Sequence, residues 1–363
     1  MSDISPQFDE STVISTSRLT KAYDRLVAVN DLHLQVMRGD VFGFLGPNGS
    51  GKTTTIRMLL GLIRPTAGRA ILFGMDNAYQ LPAILQRIGA IVETPVFYPY
   101  LSGLDNLRAI AASSGMVSGK SNDRRLEEVL ELVELREYAG LAYNKYSLGM
   151  KQRLGIAAAL LTDPELVLLD EPTNGLDPTG MIEIRKLIQR LAELGKTIFL
   201  SSHMLHEVQQ VCNRVGILHR GNLIKQGNVG EMLRHQEQVE VRLSGEEETQ
   251  RARHILQQTR ENGVSWLIDA KVEQDSKGKR LLLVNAPADR SAEINAILAR
   301  ADLFAAEIHP RQGSLEDLFL QAMAESPLAP MQQTQEHVGM EALADGWKQE
   351  ETAVSDGEKR GVK

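Results

Sequence analysis

Phe42-Gly43-Phe44-Leu45-Gly46-Pro47-Asn48-Gly49-Ser50-Gly51-Lys52-Thr53-Thr54-Thr55 runs from a short apolar stretch into glycines, a lysine and three hydroxyl residues. Physically this is a buried strand emptying into the first turn of a helix. Glycine lets the backbone turn where a Cβ would block it, so successive N–H groups converge on one anion. The helix start near Lys52 adds its positive end. Gly46-x-x-x-x-Gly51-Lys52-Thr53 fits the P-loop spacing. In that pattern the backbone of Gly46, Pro47, Asn48, Gly49, Ser50 and Gly51 wraps a phosphate, and Lys52 reaches the terminal phosphates. Thr53, followed by Thr54, offers a hydroxyl to the Mg2+ that nucleoside triphosphates carry. The bland alternative is a flexible glycine turn, and residues further along argue against it. Gly115-Met-Val-Ser-Gly119-Lys120-Ser121 has a similar look. It is one residue short between its glycines and follows a polar helical stretch, so it reads as a solvated loop.

Working outward, Val13–Ser17 and Val27–Val36 alternate as half-buried strands, joined by a turn that carries Tyr23. An aromatic one hairpin before a phosphate loop can stack on a purine, although a lone Tyr in a turn is more often only a turn residue. A helix is expected over Thr53–Ile63, ending before Arg64-Pro65. Strands follow at Ala70–Phe73 and Ile88–Val92, with Glu93 at the tip of the second. Residues 104–140 carry amphipathic spacing and make a small helical insert. Ser147-Leu-Gly149-Met-Lys-Gln then precedes a long apolar helix. Ser147 is a good N-cap. The sharper reading is a second phosphate cradle built from a hydroxyl, a glycine amide and a helix start.

Leu166-Val-Leu-Leu-Asp170-Glu171-Pro172 is a buried strand ending in two carboxylates. That places both at the carboxyl edge of a parallel sheet, where open α/β sheets bind ligands. Asp170 can hold Mg2+ through water, and Glu171 is placed to act as general base on an attacking water. Gly175-Leu-Asp177-Pro turns into helix 179–194, and Thr197–Ser202 is another apolar strand, tipped by His203. A lone His is more often structural than catalytic. At the end of a strand parallel to that of Asp170, His203 would reach the γ-phosphate.

The ordered set Tyr23, Gly46–Thr54, Ser147-Leu-Gly-Met-Lys-Gln, Leu168-Leu-Asp-Glu-Pro, Gly175-Leu-Asp177 and His203 resembles the nucleotide-binding subunit of ATP-binding cassette transporters over roughly residues 12–235. The resemblance implies an adenine platform at Tyr23, a catalytic glutamate at Glu171 and a switch histidine at His203. It also implies a signature loop at Ser147 and Gly149 that closes on the ATP of a second subunit, so that an ATP-dependent homodimer completes two sites. The sequence departs from the family pattern at two motifs. Leu148 and Met150 replace a glycine and a glutamine of the usual signature, and Glu93 stands where a glutamine is usual, at the loop that meets both the metal and the membrane partner. Glu93 still accepts a hydrogen bond from metal-bound water. It resembles the drug- and antibiotic-exporter branch, which points to export.

The 363 residues suffice for two domains, and 42% hydrophobic with 24% charged residues is a globular composition. A net charge of −7 with no basic block argues against nucleic acid as a partner. No apolar run is long enough to span a bilayer and the polar N-terminus lacks signal-peptide character, so a cytoplasmic protein held on the cytosolic face of the membrane by a separately encoded permease is expected. Its single cysteine, Cys212, lies in a helical pattern and reads as buried. Residues 236–325 follow a β-α-β-β-α-β-α order that suits a ferredoxin-like α+β domain with strands at 238–243, 264–269, 280–284 and 305–308. Residues 326–363 are polar and expected to be disordered. The fold class is thus α/β: a P-loop cassette with a parallel-core sheet, an antiparallel β subdomain and a helical insert, plus the small C-terminal domain. One alternative is a soluble cassette ATPase acting on ribosomes or DNA. Such chains typically carry two cassettes or a long coiled coil, whereas this one has a single P-loop and no heptad run between Thr53 and Ser147. A second alternative, a sugar-binding tail, finds only Trp266, Phe304 and Phe319 as aromatics before Trp347.

Overall fold

The computed structural model describes residues 11–92, 96–117, 119–234, 236–274, 280–311 and 313–325. Glu93 and the 326–363 tail therefore lie outside the described residues.

Five apolar runs form a parallel sheet in the order Arg214–His219, Val41–Leu45, Thr197–Ser202, Leu166–Asp170 and Ile88–Ile91, with Asn222–Asn228 antiparallel on the first edge. Both faces of this sheet are covered, which is why the runs are continuously apolar rather than alternating. Their side chains still divide with a period of two. Val41, Leu45, Val167, Leu169, Ile198 and Leu200 enter one core, whereas Phe42, Phe44, Leu166, Leu168 and Phe199 enter the other. Phe199 stacks on Phe42 and tilts against Phe44, with centroids 5.6 and 5.3 Å apart, fixing the two strands that carry the phosphate loop and the histidine tip.

The second core is closed by the helix Lys52–Leu59 and by an antiparallel sheet of Leu26–Leu32, Thr12–Tyr23, Ala67–Leu72 and Met75–Asp76, with Gln35–Met37 also paired to Thr12–Tyr23. Tyr23 is the last residue of its strand, opposite Leu26, rather than a turn residue. The phosphate-loop helix is shorter than its sequence pattern suggests, because Leu60–Ile63 leave the helix through Gly61 at φ +67°. The insert forms helices Gly103–Ser113 and Lys120–Leu132; of the look-alike glycine stretch, Gly115 and Gly119 are exposed between them, whereas Lys120 and Ser121 already open the second helix. Among the described residues no helix is long and apolar enough to cross a membrane.

Residues 238–311 make a four-stranded antiparallel sheet in the order Asp269–Gln274, Arg280–Asn285, Gln238–Arg242, Glu307–Arg311, with helices Glu246–Glu261 and Ser291–Ala299. This split βαβ arrangement has its own core around Val239, Val241, Leu256, Leu282 and Ile294. Its second strand begins five residues later than the apolar run 264–269 suggests. Leu267, 2% exposed, plugs the core from a turn, and the true strand turns Ala270 and Val272 inward. The closing helix Leu315–Glu325 then leaves this module. Leu315 and Leu318 are buried in the core that holds Val41, Leu45, Val167 and Leu169, against the helices Leu205–Val211 and Val229–Arg234.

Candidate nucleotide site

Gly46–Thr54 folds as a cradle. Gly51 sits at φ +107°, and a Cβ there would stand 2.4 Å from the Ala28 carbonyl oxygen, so both conformation and space demand glycine. A Cβ on Gly46 would meet the Leu218 carbonyl oxygen at 2.3 Å. Pro47, Asn48 and Gly49 are exposed at the rim, Ser50 is buried, and Thr53 and Thr54 are half-buried in the first helical turn. The amides of that turn precede the first intrahelical bond, Thr55 N to Gly51 O, and so point outward without a helical acceptor. Ser50 Oγ is buried without a hydrogen-bond partner.

Lys52 is 5% exposed. Its ammonium donates to the Gly46 carbonyl at 2.8 Å and the Pro47 carbonyl at 3.3 Å. It also faces Glu171 Oε1 at 3.1 Å, an ion-pair distance without hydrogen-bond alignment, which leaves that buried oxygen short of a bond. The other carboxylate oxygen, Oε2, lies 2.8 Å from His203 Nδ1. A carboxylate only accepts, so this bond puts the ring proton on Nδ1. The structure thus brings Lys52, Glu171 and His203 into one continuous polar chain.

Glu171 adopts φ +47°, a left-handed conformation that costs free energy for a residue with a Cβ. It is held there by its N–H, which donates to Ser201 Oγ at 3.0 Å. Ser201 in turn donates to Asp170 Oδ1. Ser201 was not singled out by the sequence. Its signal, a hydroxyl at the polar tip of an apolar strand, becomes readable only when Thr197–Ser202 is known to lie beside Leu166–Asp170.

Tyr23 is 44% exposed at the hairpin end, and Lys21 Nζ lies 4.9 Å from its ring centroid, engaging the ring. Ser147 and Asp177 are exposed and both act as N-caps. Ser147 Oγ accepts from Met150 N at 3.2 Å and Asp177 Oδ1 from Gly180 N at 3.0 Å. The two helix starts lie together, because a Cβ on Gly149 would stand 4.0 Å from Gly180 Cα. Leu148 leans towards Gly175, at 3.5 Å from the position of a Cβ there. The substituted signature residue therefore does not fill the second cradle.

For a divalent cation the available donors are the Thr53 hydroxyl and the Asp170 carboxylate, both hard oxygens suited to Mg2+ shared with phosphates and water. Among the described residues no cluster of three or more His, Cys, Asp or Glu could hold a metal by itself, and such a shared site needs none.

The ABC transporter family model matches residues 29–174. The bacitracin transport ATP-binding protein BcrA of Bacillus licheniformis is 41% identical over 312 residues, covering 85% of this chain and 97% of that protein. The Nod factor export ATP-binding protein I of Cupriavidus pinatubonensis is 37% identical over 223 residues, 61% of this chain and 68% of its own length. Among solved structures, an ATP-binding subunit of an ABC transporter aligns with 30% identity and a TM-score of 0.55 over 61% of this chain and 92% of that one. A dimeric ATP-binding cassette in a post-hydrolysis state bound to ADP and Pi aligns with 26% identity and a TM-score of 0.54 over 60% and 98%. The cradle, the carboxylate pair and the histidine tip, read with these relatives, establish that the chain belongs to the ATP-binding subunits of ABC transporters, the ATPases that power transport.

Proposed function

We propose that the chain hydrolyses ATP·Mg2+ at a site shared by two copies and drives a separately encoded membrane permease in the export direction. The observation that carries the chemical part is the Lys52–Glu171–His203 chain at the carboxyl edge of the sheet, directly beside the glycine cradle. Lys52, freed from Glu171 by a more highly charged partner, neutralises the terminal phosphates. Glu171 then takes a proton from the attacking water, and His203 orients that carboxylate and meets the γ-phosphate. Asp170, fixed by Ser201, and Thr53, together with Glu93, are the oxygens that would hold Mg2+, which supplies charge neutralisation at the phosphates. Tyr23 gives the base a stacking surface. Ser147, Gly149 and Asp177 serve the nucleotide of the partner copy.

Export is supported by the names of the relatives, bacitracin transport and Nod factor export. A groove of about 810 Å³ supports a permease contact at the membrane's cytosolic face. It runs between the edge strand Ile88–Ile91 and the insert, lined by Leu85, Ile88, Val92, Val96, Phe97 and Ile110. Val96 is 93% exposed, and Tyr98 and Tyr100 beside it are exposed too, a cluster that suits an apolar helix end. The experiment for the chemistry is Glu171→Gln. Nucleotide affinity should hold within a few-fold while turnover falls by about 10² to 10⁴. Wild-type turnover in this variant would remove Glu171 from its role.

A further inference from the structure

Among the described residues, Arg153 is the one buried arginine or lysine that the nucleotide chemistry does not use. It projects from the signature helix Leu148–Leu160 and is 9% exposed, and its Nε is buried with no hydrogen-bond partner. Two carboxylates face it. Glu183 stands at 3.6 Å, on the helix Pro178–Glu193 that follows Asp177, and Glu134 at 3.7 Å, at the end of the insert helix Lys120–Leu132. Both distances give charge attraction but lie beyond hydrogen-bond range. Arg153 lines a cavity of about 60 Å³ with Lys186 and Arg190 also on its wall, so the two acids offset a local excess of positive charge.

The placement has a regularity. Arg153 lies six residues after Ser147, and Glu183 six residues after Asp177. At 1.5 Å per residue, both are about 9 Å along their helices from the caps. The helix starts already touch at Gly149 and Gly180, and Leu148 leans on Gly175. Two parallel helices are thus joined at their first turn by packing and again lower down by Arg153 and Glu183. The insert is tied to the same point through Glu134, whose φ of +57° turns its carboxylate back from the helix end.

We propose that Arg153 is a positioning residue for the shared ATP site. It holds the Ser147–Gly149 start in register with Asp177, so that both present to the partner copy's nucleotide as one rigid edge. This rests on the reading that Ser147 and Gly149 complete the partner's site. Arg153 touches no nucleotide and acts through the two helices.

The test uses the full chain in the Glu171→Gln background with saturating ATP. It measures the protein concentration of half-dimerisation by sedimentation velocity, with ADP affinity of the monomer alongside. Arg153→Met keeps the apolar stem, removes the charge and raises the midpoint tenfold or more. Arg153→Lys raises it less. Glu183→Gln leaves the buried arginine in place and moves the midpoint the same way, so the proposal remains testable if Arg153→Met fails to fold. Combining Arg153→Met with Glu183→Gln adds no further shift. ADP affinity is unchanged in every variant, because the Gly46–Thr53 cradle is untouched. An unchanged midpoint in Arg153→Met overturns the proposal. So does an ADP affinity that falls in step with dimerisation, since the residue would then support the whole cassette rather than its edge. A Glu171→Gln parent that stays monomeric in ATP defeats the shared site itself, and this proposal with it.

Discussion

The loop Gly46–Thr53 and the helix start Ser147–Gly149 both aim backbone amides at an anion, yet they are built oppositely. The first is assembled from within: Gly51 is forced to φ +107°, Lys52 is almost fully buried, and Glu171 reaches it from a neighbouring strand, held in turn by His203 and Ser201. The second is an exposed N-cap, and Gly149 is half-buried beside the start of the neighbouring helix at Gly180. A phosphate held by the first loop meets a complete set of charges from one chain. A phosphate at the second has an amide, a hydroxyl and a helix end, but no buried cation at the cap. On the proposed reading, one cradle binds nucleotide alone, whereas the other becomes useful only against a nucleotide that something else already holds.

The largest effect that sharpens this contrast concerns what stands behind the first cradle. The closing helix Leu315–Glu325 packs on Leu205–Val211, which begins two residues after His203, and Gln209 Oε1 accepts from Leu315 N at 2.9 Å. The boundary at 235/236 read from the sequence implies that a cut near Gln236 leaves a folded cassette. The cut strips Leu315 and Leu318 from that cassette's core and should cost about 3 to 6 kcal/mol at the usual value per buried leucine. Gly313 lies against Leu233 and Gln236, its would-be Cβ 2.4 Å from the Leu233 carbonyl oxygen. Deleting residues 237–312 and rejoining the ends should therefore restore most of the loss. Thermal melting of the two truncations checks this, and equal melting temperatures would contradict it.

Lys52→Ala comes next. Removing a cation that the first cradle reserves for phosphate should weaken ATP binding to the monomer by about 2 to 3 kcal/mol, read by isothermal titration. Ser147→Arg should leave that monomer affinity unchanged. Comparable losses from both substitutions would erase the distinction between the cradles.

The smallest effect is electrostatic. Glu165 bonds bidentately to Arg87, 2.6 and 2.9 Å, and to Arg38 at 2.7 Å, which ties the sheet edge to the antiparallel subdomain. Chiefly through the Arg87 hydrogen bonds, its carboxyl falls from 4.5 to about 2. A depressed carboxyl stabilises the fold fully above pH 4.5 and loses that contribution as pH falls towards 2. Because the side chain is 39% exposed, screening limits it to about 1 kcal/mol. Glu165→Gln should lower the melting temperature by a few degrees at pH 7, with the gap to wild type closing below pH 3.

Much of this was legible in the sequence because glycine spacing and apolar runs are local signals. Gly46–Thr53, Leu166–Glu171 and Thr197–His203 could be placed on strand ends before any coordinates, and the sheet brings them together there. What could not be read depends on pairing across the chain. Ser201 matters because its strand lies beside that of Asp170, and the two partners are 31 residues apart. The apolar face of Leu315, Leu318 and Phe319 was visible as a face, but periodicity does not say which core receives it. The run 264–269 misled because an apolar plug and an apolar strand share a composition.

If the ATP site is split between two copies, as proposed, the mass of Glu171→Gln in solution with ATP, by light scattering, reports it directly. A dimer is expected with ATP, a monomer with ADP, and a monomer again when Ser147→Arg is added, because a long side chain then occupies the second cradle. A Glu171→Gln variant that stays monomeric at saturating ATP, or a double variant that still dimerises, would contradict it.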